Sequence, residues 1–191
     1  MRLQKTAIIL IRTVVPAFFL LLLLHQPVLA QNGRRVKGPV IENYGNTFAV
    51  DNPDFKTDTK KKYKVVFDVH DSPDDPAAVN PMLNTLARFI NMHANAGVPL
   101  KNLKVVGVIH NKASKDALDN ETYRQKYGVD NPNIPLMEAL EKAGAQIYMC
   151  GQSINARNID PQHLAAPIQT ALSAMTVFLN LQNEGYTMIR F

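Results

Sequence analysis

The amino-acid sequence predicts an α/β fold, a mainly parallel sheet with helices on both faces. Two short apolar, β-branched runs, Tyr63 to Val69 and Leu103 to Ile109, have the character of strands covered on both sides. Between them Met82, Leu86, Phe89, Ile90 and His93 recur at helical spacing. Strand, helix, strand is the signature of a βαβ unit, and the same alternation continues further along the chain.

The N-terminus is predicted to be discarded. Arg2, Lys5 and Arg12 precede or interrupt an apolar run through Val14, Phe18 and Leu20 to Leu24, and Val28-Leu29-Ala30 offers a small-residue cleavage site. That run is roughly a dozen residues, short of the about 20 a membrane-crossing helix needs. A cleaved signal peptide over residues 1–30 implies a periplasmic or secreted protein with no membrane contact after cleavage. Cleavage would remove three of 21 basic residues and none of 16 acidic ones, so the net charge falls from +5 to +2. So small an excess, with no basic stripe interleaved with aromatics, excludes an electrostatic footprint for nucleic acid. The Lys60-Lys61-Lys62 run reads as a solvated flank before a strand.

Residues 31–62, rich in Gly, Asn, Asp and Pro, read as an irregular arm with apolar islands at Val40-Ile41 and Phe48-Ala49-Val50, packed on the domain or on a neighbouring subunit. Residues 63–191 form the domain proper. After the first strand comes a Pro- and Asp-rich loop. Asn80 then caps a helix with Pro81 at its first position, and Gly97 stops it. Beyond the second strand, a polar helix over 121–127 ends at Gly128. A helix over 134–143 with Leu136, Met137, Leu140 and Ala143 on its buried stripe ends at Gly144. Ala145 to Met149 is a third strand, with Cys150-Gly151 at its carboxyl end. Asp160-Pro161 opens a short helix, Ile168 to Leu172 fits strand or helix, 174–184 is helix, and 186–190 is strand after Gly185.

In parallel sheets reactive groups collect outside the carboxyl ends of the strands. This sequence puts His70 after the first strand, His110 after the second and Cys150 after the third, so neighbouring strands would bring the three to one edge. Cys150 is the chain's only cysteine and has no internal disulfide partner. It stands where a strand turns toward a helical segment, and exposed N–H groups at such turns favour the thiolate. The competing reading is a small buried hydrophobe that finishes the strand.

The segment Ile147-Tyr148-Met149-Cys150-Gly151-Gln152-Ser153, followed by Ala156-Arg157, resembles the cysteine segment of the DsrE-like family of sulfur-relay proteins. The preceding helix and the closing Leu181 to Tyr186 are similar to that family too. The resemblance, over about 63–191, implies a three-layer α/β/α sandwich with a five-stranded sheet and assembly into trimers or hexamers. It also implies a cysteine, here Cys150, that carries sulfur as a persulfide to a partner protein's thiol. This chain differs from the family's best-known, cytoplasmic members in its export signal, and Asn158 stands where a glycine often follows the arginine.

On this reading Cys150 takes up the sulfur, His110 relays a proton, and Arg157 holds the thiolate or an anionic sulfur species. No cofactor is required. Two alternatives belong to other classes. One is metal or small-ligand binding by His70, His110 and Cys150, helped by Asp68 or Asp71. The other is an oligomeric interaction scaffold without transfer. Asp71, Asp74 and Asp75 read as turn residues, His93 as a core or last-turn residue, and His163 carries no signal.

Overall fold

The computed structural model describes residues 34–190, so the predicted signal peptide lies outside the described residues. The domain is built on a five-stranded sheet in which every neighbouring pair is parallel. Its strands are β3 (Tyr63–Val69), β4 (Leu103–Ile109), β5 (Gln146–Cys150), β6 (Ile168–Ala171) and β7 (Thr187–Ile189), in spatial order β6-β5-β4-β3-β7. Before them β1 (Arg35–Val36) and β2 (Thr47–Phe48) pair antiparallel in the arm. The helices are α1 (Pro81–Asn95), α2 (Asn120–Tyr127), α3 (Ile134–Lys142), α4 (Gly151–Ala156) and α5 (Ala174–Asn183). Among the described residues no helix is long and apolar enough to cross a membrane.

Each strand presents alternate residues to the two faces. Val65, Phe67, Val69, Val105, Ile109, Ile147 and Met149 belong to the larger core, where α1 and α3 contribute Leu83, Leu86, Ile90, Leu136, Met137 and Leu140. The intervening residues Val66, Val106, Val108 and Cys150 form a smaller core under Ala174, Val177 and Phe178 of α5. A three-layer sandwich results, with unequal outer layers. The segment 168–171, which fits strand or helix by pattern, is strand because it pairs with β5 and buries Ile168 on the larger core.

The arm is anchored by one side chain. Asn91, fully buried on α1, accepts from the Ile41 N–H at 3.0 Å and donates to the carbonyls of Ile41 and Tyr44, each at 2.9 Å. Ile41 is thereby held in the larger core, whereas Phe48 and Val50 remain exposed. Gly45, at φ +64°, lies so close to α1 that a Cβ there would come within 2.3 Å of the Ala87 carbonyl carbon.

A second buried polar knot secures the loops at the carboxyl end of the sheet. Asn80 caps α1 by accepting from the Met82 N–H at 2.7 Å, and its amide donates to Asp116 Oδ2 at 2.7 Å. Ser72 donates to the other Asp116 oxygen at 2.9 Å, and Asn131 donates to the Asp116 carbonyl at 2.8 Å. Asp116 sits in a 3-10 segment, Asn111–Ala117, that the hydrophobic pattern does not announce. Burial pushes its carboxyl pKa above the ordinary value, against the lowering effect of Asn80 and Ser72.

Candidate functional site

Strand register builds the site. Val69 is level with Ile109, and Ile109 with Met149, so the next residues, His70, His110 and Cys150, stand side by side where three strands end. Alternation places them on the α5 face together with Asp68. The expected convergence of the three is therefore present.

Asp68 is the hub of the cluster. Its side chain is 5% exposed, and one carboxylate oxygen meets His110 Nε2 at 2.7 Å and lies 3.6 Å from His70 Nδ1. The other faces Arg190 Nε at 3.3 Å, because Phe67 pairs with Ile189 and sets the next two residues level. A carboxylate only accepts, so Nε2 of His110 is the donor in this contact. The His110 ring also meets Phe178 of α5 edge-on, with centroids 6.3 Å apart. His70 Nδ1 is buried without a hydrogen-bond partner.

Cys150 closes β5 and is 5% exposed. Burial pushes its thiol pKa up, but the N–H groups of Ala174, Ser153 and Gln152 and the Ser153 hydroxyl stabilise the ionised sulfur and outweigh it, so the net shift is down. Ser153 Oγ accepts from the Asn111 N–H at 3.2 Å, which leaves the hydroxyl hydrogen free for the sulfur. At six residues α4 is too short for a large dipole, so these individual donors carry the effect. Gly151 is required by packing: a Cβ there would come within 2.7 Å of the Ala171 carbonyl oxygen on β6.

Arg157 is tied to Asn111, whose own N–H donates to Ser153 Oγ. It donates from Nη2 to Asn111 Oδ1 at 3.2 Å and lines a cavity with Lys112, Lys115 and Lys126. Asn111 itself adopts a left-handed backbone, φ 53°, as does Asn158 at φ 50°, a conformation asparagine tolerates. Asp71 accepts from the Ser72 N–H, and Asp75 from the Ala77 N–H, as turn residues do. His93 is tied to the Phe89 carbonyl at 2.8 Å, and burial holds its pKa down.

The metal alternative finds no support. The two imidazoles share Asp68, and among the described residues no three His, Cys, Asp or Glu side chains are grouped to hold a metal ion. Sequence reasoning assigned no role to Ser153, Arg190 or Phe178, and reached Asp68 only as an auxiliary ligand. The signal for Asp68 was an acidic residue inside a β-branched strand, since a carboxylate there must find partners.

A five-stranded parallel sheet with a near-buried, donor-supported cysteine at a strand end defines the class of α/β domain to which this molecule conforms. The DsrE/DsrF-like family model matches residues 64–191, and the chain belongs to that family. Among solved structures it is similar to a protein of unknown function, MTH1491, from Methanobacterium thermoautotrophicum, at 18% identity and a TM-score of 0.51, covering 68% of this chain and 99% of that one. It is also similar to the ychN protein from E. coli, at 16% identity and a TM-score of 0.49, covering 68% and 99% respectively. No curated protein matches the sequence.

Proposed function

We propose that this protein is an exported sulfur carrier whose Cys150 holds a persulfide. The observation that carries the reading is the lowered thiol pKa of a cysteine surrounded by donors. The thiolate attacks one sulfur of an inorganic polysulfide; a new S–S bond forms on Cys150, the S–S bond beyond the attacked sulfur breaks, and the shortened polysulfide leaves with the electron pair. A partner thiolate then attacks the outer sulfur, and Cys150 departs as thiolate. His110, oriented by Asp68, is the group to exchange a proton with the leaving sulfur. The sulfur acceptor is a thiol-bearing protein.

The carrier is proposed to act as a homo-oligomer, a trimer or hexamer. Supporting this, Leu172, Met175 and Leu179 line the outside of the α5 layer at 72%, 76% and 61% exposure, an apolar stripe without cover on the single chain. A periplasmic or secreted location rests on the charge and hydropathy pattern of residues 1–30.

The test is polysulfide treatment followed by intact-mass measurement. The native protein gains sulfur, the gain is removed by a thiol reductant, and Cys150→Ser gains none. Equal uptake by Cys150→Ser, or none by the native protein, overturns the reading. A scaffold without transfer is the second reading, favoured by the sulfur's low exposure. The second outcome supports it.

A further inference from the structure

Loops at the carboxyl end of the sheet line a cavity of about 370 Å³ whose walls include none of Asp68, His110 and Cys150. This lies within the roughly 300–1,000 Å³ typical of small-molecule sites. Four cationic side chains line it, Lys112, Lys115, Lys126 and Arg157, against one carboxylate, Asp74. Among the described residues only Lys112 of the four has a carboxylate partner, Asp71 at 3.6 Å. Asp74 in the wall, Asp71 beside Lys112 and Asp116 near Lys115 offset part of this charge, whereas Lys126 and Arg157 have no carboxylate partner among the described residues.

Two of the cations are held in place. Lys115 donates to the Pro73 carbonyl and lies 5.7 Å from the centre of the Tyr127 ring. Arg157 is fixed on Asn111 Oδ1. The remaining wall combines Ser72 and Pro73 with the apolar Leu118, Ile159 and the Tyr127 ring.

We infer that this cavity binds a small organic anion with a phosphate or sulfonate group at one end and a flat apolar body at the other. The tetrahedral oxyanion takes the place of the missing counter-charge between Lys126 and Arg157, and the flat body lies against Tyr127 and Leu118. The site shares no lining residue with the Cys150, Asp68 and His110 cluster.

The test is calorimetric titration of the full chain at low salt with phenyl phosphate, benzenesulfonate, inorganic phosphate and benzyl alcohol. An aryl anion is expected to bind more tightly than inorganic phosphate or benzyl alcohol, and to weaken as salt is raised. Phenyl phosphate as the tighter of the two marks a phosphate site, and benzenesulfonate a sulfonate site. Lys126→Gln and Arg157→Gln, both at exposed positions, should each weaken binding about tenfold, while Lys104→Gln, elsewhere on the surface, leaves it unchanged. Cys150→Ser should bind as the native protein does, so failure here and failure of the sulfur-carrier reading are separate results. The inference is overturned if neither aryl anion binds at millimolar concentration, if benzyl alcohol binds equally well, or if the two cavity variants bind as tightly as the native chain.

Discussion

Two side chains decide what the sulfur can do. Ser153 is one of the groups that hold the Cys150 thiol below its ordinary pKa, so Ser153→Ala should move the pH profile of alkylation by iodoacetamide upward. The direction follows from the ionised form losing a donor while burial stays. Asp68→Asn keeps the shape but offers His110 an amide that can present its NH₂ instead of an acceptor. It is expected to slow persulfide transfer while leaving the alkylation profile in place, and a stopped-flow comparison of loading and transfer separates the two. The three strand-end residues His70, His110 and Cys150 were legible because a parallel sheet levels its strand ends. Asp68, Ser153 and Arg190 were not, because their roles depend on cross-strand register and on a turn whose path the sequence does not state.

At the scale of elements, the strands and long helices could be read in order, because hydrophobic period and caps agree. Asn80, Pro81 and Gly97 bound α1 as expected, and Gly128 and Gly144 end the next two helices. The segment 111–117 was silent, since it is held by the Asp116 knot and not by an apolar stripe. Removing that knot should be costly: Asp116→Ala leaves the buried donors of Asn80 and Ser72 unpaired and is expected to lower stability by about 2–4 kcal/mol in urea titration. A raised carboxyl pKa also fixes the sign of a pH effect. The contribution of Asp116 is full below the ordinary carboxylate range and is lost as pH rises through the raised value, so the gap in urea midpoint between native and Asp116→Asn should narrow as pH increases from about 4. In the arm, Asn91→Ala strands the Ile41 N–H and should cost a similar amount; limited proteolysis would then cut first within residues 34–62.

For the whole molecule, the uneven sandwich sets the expectation. One face of the sheet carries α1, α3 and the arm, and the other carries α5 with an uncovered apolar stripe. Met175→Asp with Leu179→Arg should reduce the assembly to a monomer in sedimentation equilibrium and leave the circular dichroism unchanged, because both side chains project away from the core. A native protein that already sediments as a monomer would remove the oligomer from the account. The helix beneath that stripe has a further consequence. Its first residue, Ala174, both shields the sulfur and supplies one of the N–H groups that lower its pKa. Lifting the helix to admit a bulky acceptor therefore strips the sulfur of a donor as it is uncovered.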